Sequence, residues 1–263
     1  MTTLADRMEH WSRAALAQDW IGAWREGAIF PCEMVFFLAR CDEDGVQVVV
    51  ESGRQDGIST AILGAWAARG GGRVHSVDLE EDAARAAACR ARLAHLPLDL
   101  VRGNAFVEVP RLVHAARAPT ALLIDGPKGW PALAVAYGLA SVRSLQLVSL
   151  HNLTPGGSWR AQFQALAGPG AFYEQSAGGG EAWRTLRAAE AERLLGSARS
   201  LEESSLGVMA VGRAGRGRLV RRAGLAFGLS QPPLLAAGWS LGAFGVTRYL
   251  FSISARLPLD PGS

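Results

Sequence analysis

Two apolar runs of this chain end in residues able to do chemistry. Ala121-Leu-Leu-Ile-Asp125 is followed by Gly126-Pro-Lys128, and Leu145-Gln-Leu-Val-Ser-Leu150 runs into His151-Asn152. Parallel strands present their carboxyl ends to ligands, so these four polar residues are candidates for one site. His151 suits general-base catalysis, because an unperturbed imidazole titrates near neutrality. Lys128 could serve as a base only where burial lowered its pKa.

A second constellation lies upstream. Val46-Gln-Val-Val-Val-Glu51-Ser-Gly53-Arg-Gln-Asp-Gly57-Ile-Ser59-Thr60 reads as a buried strand, a glycine turn and the start of a helix. Arg73-Val-His-Ser-Val-Asp78 reads as a second strand that ends on a carboxylate 21 residues after Gly57. Gly53 lets the backbone turn sharply and a ligand approach closely, since no Cβ stands in the way. Helix-N-terminal amides and Asp78 could then hydrogen-bond a ribose and its attachments, which points to a nucleotide-type cofactor. The glycine spacing departs from the dinucleotide fingerprint G-x-G-x-x-G, with Gln55 at the middle position and Ile58 after Gly57. Glu51 would repel a pyrophosphate and suits a cationic ligand.

The resulting pattern, E-x-G-x-x-x-G-x-S, resembles motif I of the class I S-adenosylmethionine-dependent methyltransferases, whose cofactor carries a sulfonium and an amino group and no phosphate. Further segments follow in that family's order over about residues 44–212. The resemblance implies that Glu51, Gly53 and Gly57 line the amino-acid side of the cofactor, that Ser59 also binds the cofactor and that Asp78 binds its ribose. Asn104, in Gly103-Asn104-Ala105, would meet the adenine from the place of a family Asp. Asp125 would also border the cofactor. The D-x-x-K spacing of Asp125 and Lys128 is similar to that of catechol-type O-methyltransferases, where the Asp binds a divalent metal and the Lys acts as base. On this resemblance Asp125, Lys128 and His151 form the catalytic set, and Asp125, His151 and Asn152 a metal set. His151 stands where the family has a carboxylate, and Mg²⁺ prefers oxygen ligands. A softer ion such as Mn²⁺ or Fe²⁺ is one alternative. The other is no metal, with His151 as the base.

The elements that must position these residues alternate regularly. Helical periodicity covers residues 3–27, then a short apolar segment opens at Pro31. Trp11, Trp20 and Trp24 in this region are packing residues or substrate contacts. Helices are expected from about Gly57 to Arg69, from Glu80, from Ala105 to Arg117 and from Pro131 to Arg143, between short apolar strands. That alternation predicts an α/β fold with a doubly wound, mostly parallel sheet covered on both faces. Residues 171–177 and 205–212 read as the last two strands. In the resembled Rossmann-like fold these close the sheet as a hairpin, with seven strands and the final one antiparallel. The organisation is thus an N-terminal helical cap over 1–43, a cofactor-binding domain over 44–212, and a basic linker with an apolar C-terminal tail over 213–263.

Composition narrows the partners. With 49% apolar and 19% charged residues, the chain can bury a sizeable core. Three widely spaced cysteines argue against a disulfide framework, so a cytoplasmic setting is expected, and the start carries no signal-peptide core. A net charge of +3 does not imply nucleic acid. Arg213, Arg216, Arg218, Arg221 and Arg222 form a local basic cluster, read as a solvated linker or a contact for phosphates or anionic lipid. Asp125-Gly-Pro-Lys128 differs from the (Asn/Asp)-Pro-Pro-aromatic motif of nucleic-acid methyltransferases, which leaves a small-molecule acceptor as the expected partner. The stretch from Leu225 to Leu257 is mostly apolar and reads as a homodimer or membrane-surface contact, with a membrane span as the alternative. Two rival functions remain, an NAD-dependent oxidoreductase and a non-catalytic nucleotide-binding or membrane-peripheral scaffold protein.

Overall fold

Short runs of Val, Leu and Ile form β1 (Val48–Ser52), β2 (Arg73–Asp78), β3 (Leu98–Arg102), β4 (Thr120–Ile124) and β5 (Leu145–Leu150), paired in parallel. With β6 (Ala171–Tyr173) and β7 (Gly207–Ala210) they make one seven-stranded sheet of order β3-β2-β1-β4-β5-β7-β6. Only β7 runs antiparallel, against both β5 and β6. The structure, a computed structural model, describes residues 2–70, 72–194 and 206–214. The expected Rossmann-like sheet with its antiparallel last strand is therefore present. One detail differs, since β6 and β7 do not form a tight hairpin. An unpredicted helix, Glu181–Arg193, intervenes.

Alternation along the strands sends side chains to two cores. Val49, Ala121, Leu123, Leu147 and Val208 face one layer, built from α1 (Leu4–Ala17), α2 (Trp20–Ala23), α3 (Pro31–Glu43), α4 (Ile58–Gly70) and the helix at 181–193. Val48, Val50, Leu122, Ile124 and Val148 face the other. That second layer holds the helices over 105–115, 130–139 and 158–167. In chain order the remaining α-helices among the described residues are α5 (Ala83–Leu93), α6 (Ala105–Ala115), α7 (Trp130–Leu139), α8 (Ser158–Ala167), α9 (Glu181–Arg193) and the short α10 (Val211–Ala214).

The N-terminal segment shares the first core. Every residue of α3 from Pro31 to Cys41 is buried, as befits a helix that packs against α1, α4 and α9. Burying Phe36, Phe37 and Leu38 at 0–1% exposure stabilises the fold by roughly 1.5–3 kcal/mol for each side chain. The single helix expected over 3–27 is broken at Asp19, whose backbone is left-handed at φ +48° and whose carboxylate caps α2 through the amide of Gly22. Trp11, Trp20 and Trp24 are buried. Trp11 Nε1 donates to Asp42 at 2.7 Å, and Trp24 stacks on Phe30. The basic cluster beyond Arg213 and the apolar stretch 225–257 lie outside the described residues. Among the described residues, no helix is long and apolar enough to cross a membrane.

The turn after β1 makes two stability predictions of opposite sign. Gln55 holds φ +46°, a left-handed conformation that glycine adopts without strain, so Gln55→Gly should raise unfolding free energy by about 1 kcal/mol. Gly53 holds φ +89°, and a Cβ there would lie 2.6 Å from the Gly126 amide nitrogen. Gly53→Ala should therefore lose more than about 1 kcal/mol. Urea unfolding of both variants measures the two effects.

Candidate functional site

The strand order reverses between β1 and β4, and the turns that follow these two strands meet there. Both Asp125 and Gly126 donate backbone N–H to the Ser52 carbonyl, at 2.8 and 2.9 Å. Gly53 donates to the Val77 carbonyl at 2.9 Å, which ties the same turn to β2. The cradle is backbone on backbone, and only glycine leaves room for it. Gly57 has its own reason, because a Cβ would meet Cys89 Sγ at 2.7 Å and Leu93 Cδ1 at 2.9 Å.

Glu51 holds this turn from beneath. It is fully buried and accepts from Ser59 at 2.5 Å and from Thr60 and Ser76 at 2.6 Å. Burial pushes its pKa up, and the three hydroxyls offset this only in part. Glu51 and Ser59, both expected from sequence to bind the cofactor, bind each other below the crevice. Thr60 and Ser76 complete that set and carried no signal in the sequence beyond being hydroxyls near a turn.

Asp78 lies at the end of β2 and faces the turn. Its Oδ2 accepts the amides of Arg54 at 2.8 Å and Gln55 at 3.0 Å, and its Oδ1 accepts the amide of Glu80 at 2.7 Å. Partial burial raises its pKa, but the amides of Glu80, Gln55 and Arg54 prevail, so the net shift is down and it stays ionised. A carboxylate offers about four acceptor positions, and these amides use three. Arg54 was not foreseen. Its guanidinium is buried, donates to the Ser76 carbonyl at 2.6 Å and pairs with Glu80. Asn104 caps α6, its Oδ1 accepting from the Phe106 amide at 2.9 Å.

Asp125, Lys128, His151 and Asn152 come together as a polar cluster at the ends of β4 and β5. Asp125 Oδ1 accepts from His151 Nδ1 at 2.6 Å and from the Lys128 ammonium, which also donates to Asn152 Oδ1. Asn152 sits at φ +62°, a left-handed conformation that asparagine tolerates better than most residues. Sequence reasoning missed the fifth member, Glu33, in the first turn of α3. Its Oε2 lies 3.2 Å from His151 Nε2 and caps the helix by accepting the Phe30 amide at 2.9 Å. Nothing local pairs this helix-start glutamate with a strand-end histidine far along the chain.

Glu33 changes the chemistry. Burial pushes the His151 pKa down, but the charge of Glu33, the bond to Asp125 and the bond to Glu33 outweigh it, raising the pKa to about 9. The near-neutral base expected from sequence is thus an imidazolium at pH 7, because each ring nitrogen faces a carboxylate. Burial pushes Asp125 up, yet the bond to His151 and the charges of His151 and Lys128 bring its pKa down overall. Lys128 is half exposed, with 51% of its side chain accessible.

Two more acids stand behind Glu33. Glu190 of α9 accepts the Cys32 amide at 2.9 Å at the start of α3, and burial lifts its pKa to about 8. Glu174, after β6, is paired with Arg187, and burial lifts its pKa to about 7. Elsewhere, a cavity of about 320 Å³ is lined by Trp20, Arg25, Ile58, Ile62 and Arg92, among others, and none of the strand-end cluster borders it.

A search of the solved structures finds methyltransferases of low identity. An O-methyltransferase from Bacillus cereus, in complex with SAH, is 13% identical, with 76% of this chain and 90% of that one covered and a TM-score of 0.41. The SAH-bound methyltransferase PaMTH1 of Podospora anserina is 10% identical, covering 80% and 88%, at 0.43. The O-methyltransferase TomG of Streptomyces achromogenes, involved in tomaymycin synthesis and bound to SAM, is 16% identical, covering 78% and 89%, at 0.44. No family model and no curated protein matches the chain. Likeness at this level lends the chain no activity of its own.

The buried titratable groups set a pH dependence. His151, raised to about 9, adds stability that is complete below 6.5 and is lost as pH rises through about 9. Glu174 and Glu190, raised to about 7 and about 8, bind their protons more tightly folded than unfolded, so stability falls as pH climbs from 4.5 through those values. Asp78 and Asp125 are shifted down, so their contribution is full above 3.8 and disappears in stronger acid. The thermal midpoint should peak at about pH 4, between the ordinary Asp and Glu values of 3.8 and 4.5, and decline steadily toward about pH 9. Glu190→Gln should flatten part of the alkaline decline, and an unchanged slope in that variant would remove Glu190 from this account.

Proposed function

We propose that the chain is an S-adenosylmethionine-dependent methyltransferase that acts on oxygen of a small molecule. One observation carries the reading. At the point where strand order reverses, a glycine turn is fastened to a carboxylate at the end of β2, in a sheet whose antiparallel β7 sits between β5 and β6. Dinucleotide-binding sheets run β3-β2-β1-β4-β5-β6 and carry G-x-G-x-x-G, so both the strand insertion and Gln55 speak against the NAD alternative.

The residues fit the cofactor. Asp78 keeps an acceptor position for a ribose hydroxyl, and a Cβ on Gly53 would lie 2.6 Å from the Gly126 amide nitrogen, so the turn has to be glycine there. Asn104 would meet the adenine, and Asp125 would border the amino-acid end. When bound, S-adenosylmethionine supplies a methyl group activated by a sulfonium for in-line displacement. The chain's part is to place the acceptor and exclude water. Asp125 and His151 hold each other rigidly, while Lys128 projects from them toward solvent at the strand ends. A modest net charge and the lack of the (Asn/Asp)-Pro-Pro-aromatic motif support a small-molecule acceptor over nucleic acid.

Calorimetric titration with S-adenosylhomocysteine and with NAD, run in parallel, tests the proposal. S-adenosylhomocysteine should bind and NAD should not. Asp78→Ala should weaken binding by about 1–3 kcal/mol, since it removes a ribose partner and releases the turn amides. NAD binding with no response to S-adenosylhomocysteine would overturn the reading.

A further inference from the structure

We propose that the cavity lined by α2, the start of α4 and the end of α5 is a second binding site, for a small aromatic carboxylate, separate from the cofactor crevice. Its volume of about 320 Å³ suits a compact ring system. The floor is apolar. Trp20 and Ile62 are buried, and Ile58 and Ala61 extend the same face of α4. The Trp20 indole N–H is already given to Gln18 Oε1 at 3.1 Å, so the tryptophan brings the cavity a ring and no spare donor. Arg25 and Arg92, both exposed, also line the cavity, and no acidic side chain does.

Neither guanidinium has a carboxylate of its own. Arg25 Nη1 donates to the carbonyls of Gly22, Ala23 and Trp24 at 2.7–3.2 Å, which pins the side chain beside α2. Its other nitrogens bond nothing among the described residues. Arg92 makes no hydrogen bond or ion pair among those residues, and its Nη2 stands 3.6 Å from where a Cβ of Gly57 would be. Asp56 lies within reach of both charges, but Arg85 takes its two oxygens at 2.7 and 2.6 Å. Guanidinium groups match the planar carboxylate, and an aromatic body would displace water from Trp20 and Ile62. A small inorganic anion would leave the floor bare, and a neutral ring would leave the arginines unmatched. None of Asp78, Asn104 and Asp125 borders the cavity, so its ligand and the proposed cofactor should bind together.

Calorimetric titration of the full chain with 2-naphthoate, with and without saturating S-adenosylhomocysteine, tests the site. A single equivalent should bind in both cases, and added salt should weaken it. The neutral analogue 2-naphthamide should bind roughly tenfold more weakly or worse, and Arg92→Gln should cost 2-naphthoate a similar factor, the scale of a hydrogen bond to a charged group. Ala61→Phe, which fills the cavity, should abolish binding, and thermal melting confirms that each variant is folded. Failure of 2-naphthoate to bind would overturn the proposal, as would equal binding of 2-naphthamide or unchanged affinity in Arg92→Gln. Displacement of 2-naphthoate by S-adenosylhomocysteine would also overturn it, by placing the cavity within the cofactor crevice. Failure of S-adenosylhomocysteine itself to bind strikes the methyltransferase reading and leaves this site standing.

Discussion

A buried imidazole with a carboxylate against each nitrogen has to stay protonated, and that requirement ties three distant parts of the chain together. Asp125 comes from the end of β4, His151 from the end of β5, and Glu33 from the first turn of α3. Burying charges costs several kcal/mol per ion, and the mutual attraction returns it only when the geometry is good. Removing any one partner would strand the others without compensation. The first turn of α3 is thereby fastened to the carboxyl end of β5, and the N-terminal helices pack on one face of the sheet. The same glutamate caps α3 through the Phe30 amide, and Glu190 binds the Cys32 amide one step further on. Negative charge at a helix N-terminus is favourable, which offsets part of the burial cost.

A second constraint acts at the glycine turn. The turns after β1 and β4 touch through backbone atoms, so their separation is set by hydrogen bonds to Ser52 and not by side-chain packing. Glu51 fixes the start of α4 from below through Ser59 and Thr60, and it reaches β2 through Ser76. Asp78 fixes the turn from the other side through two of its amides. The turn is therefore preorganised between two carboxylates, one buried below it and one facing the ligand side.

These two assemblies divide the work of the proposed reaction. On the proposed reading the turn, Asp78 and Asn104 would receive the nucleoside, while the Asp125 cluster would present the Lys128 ammonium beside it. A protonated His151 cannot accept a proton from the acceptor. Its role is to hold Asp125 ionised, and Asp125 in turn orients the Lys128 ammonium. Catalysis of this kind depends on positioning more than on a strong base.

The antiparallel ending of the sheet was implied by the family resemblance, whereas residue type and periodicity were enough to place five parallel strands and the helices between them. Those features follow from local patterns of apolar residues, and the ends of β1, β2, β4 and β5 announce themselves by a polar residue after an apolar run. The grouping of Asp125, Lys128, His151 and Asn152 was legible for the same reason, since neighbouring parallel strands bring their carboxyl ends together. The protonation state of His151 was not, because it depends on Glu33, which only the docking of α3 brings within 3.2 Å. The buried bracing by Glu51 was not legible either, because the three hydroxyls from α4 and β2 that converge on it meet only in space. Burial and charge pairing between distant segments are properties of the packed molecule, and no spacing along the chain encodes them.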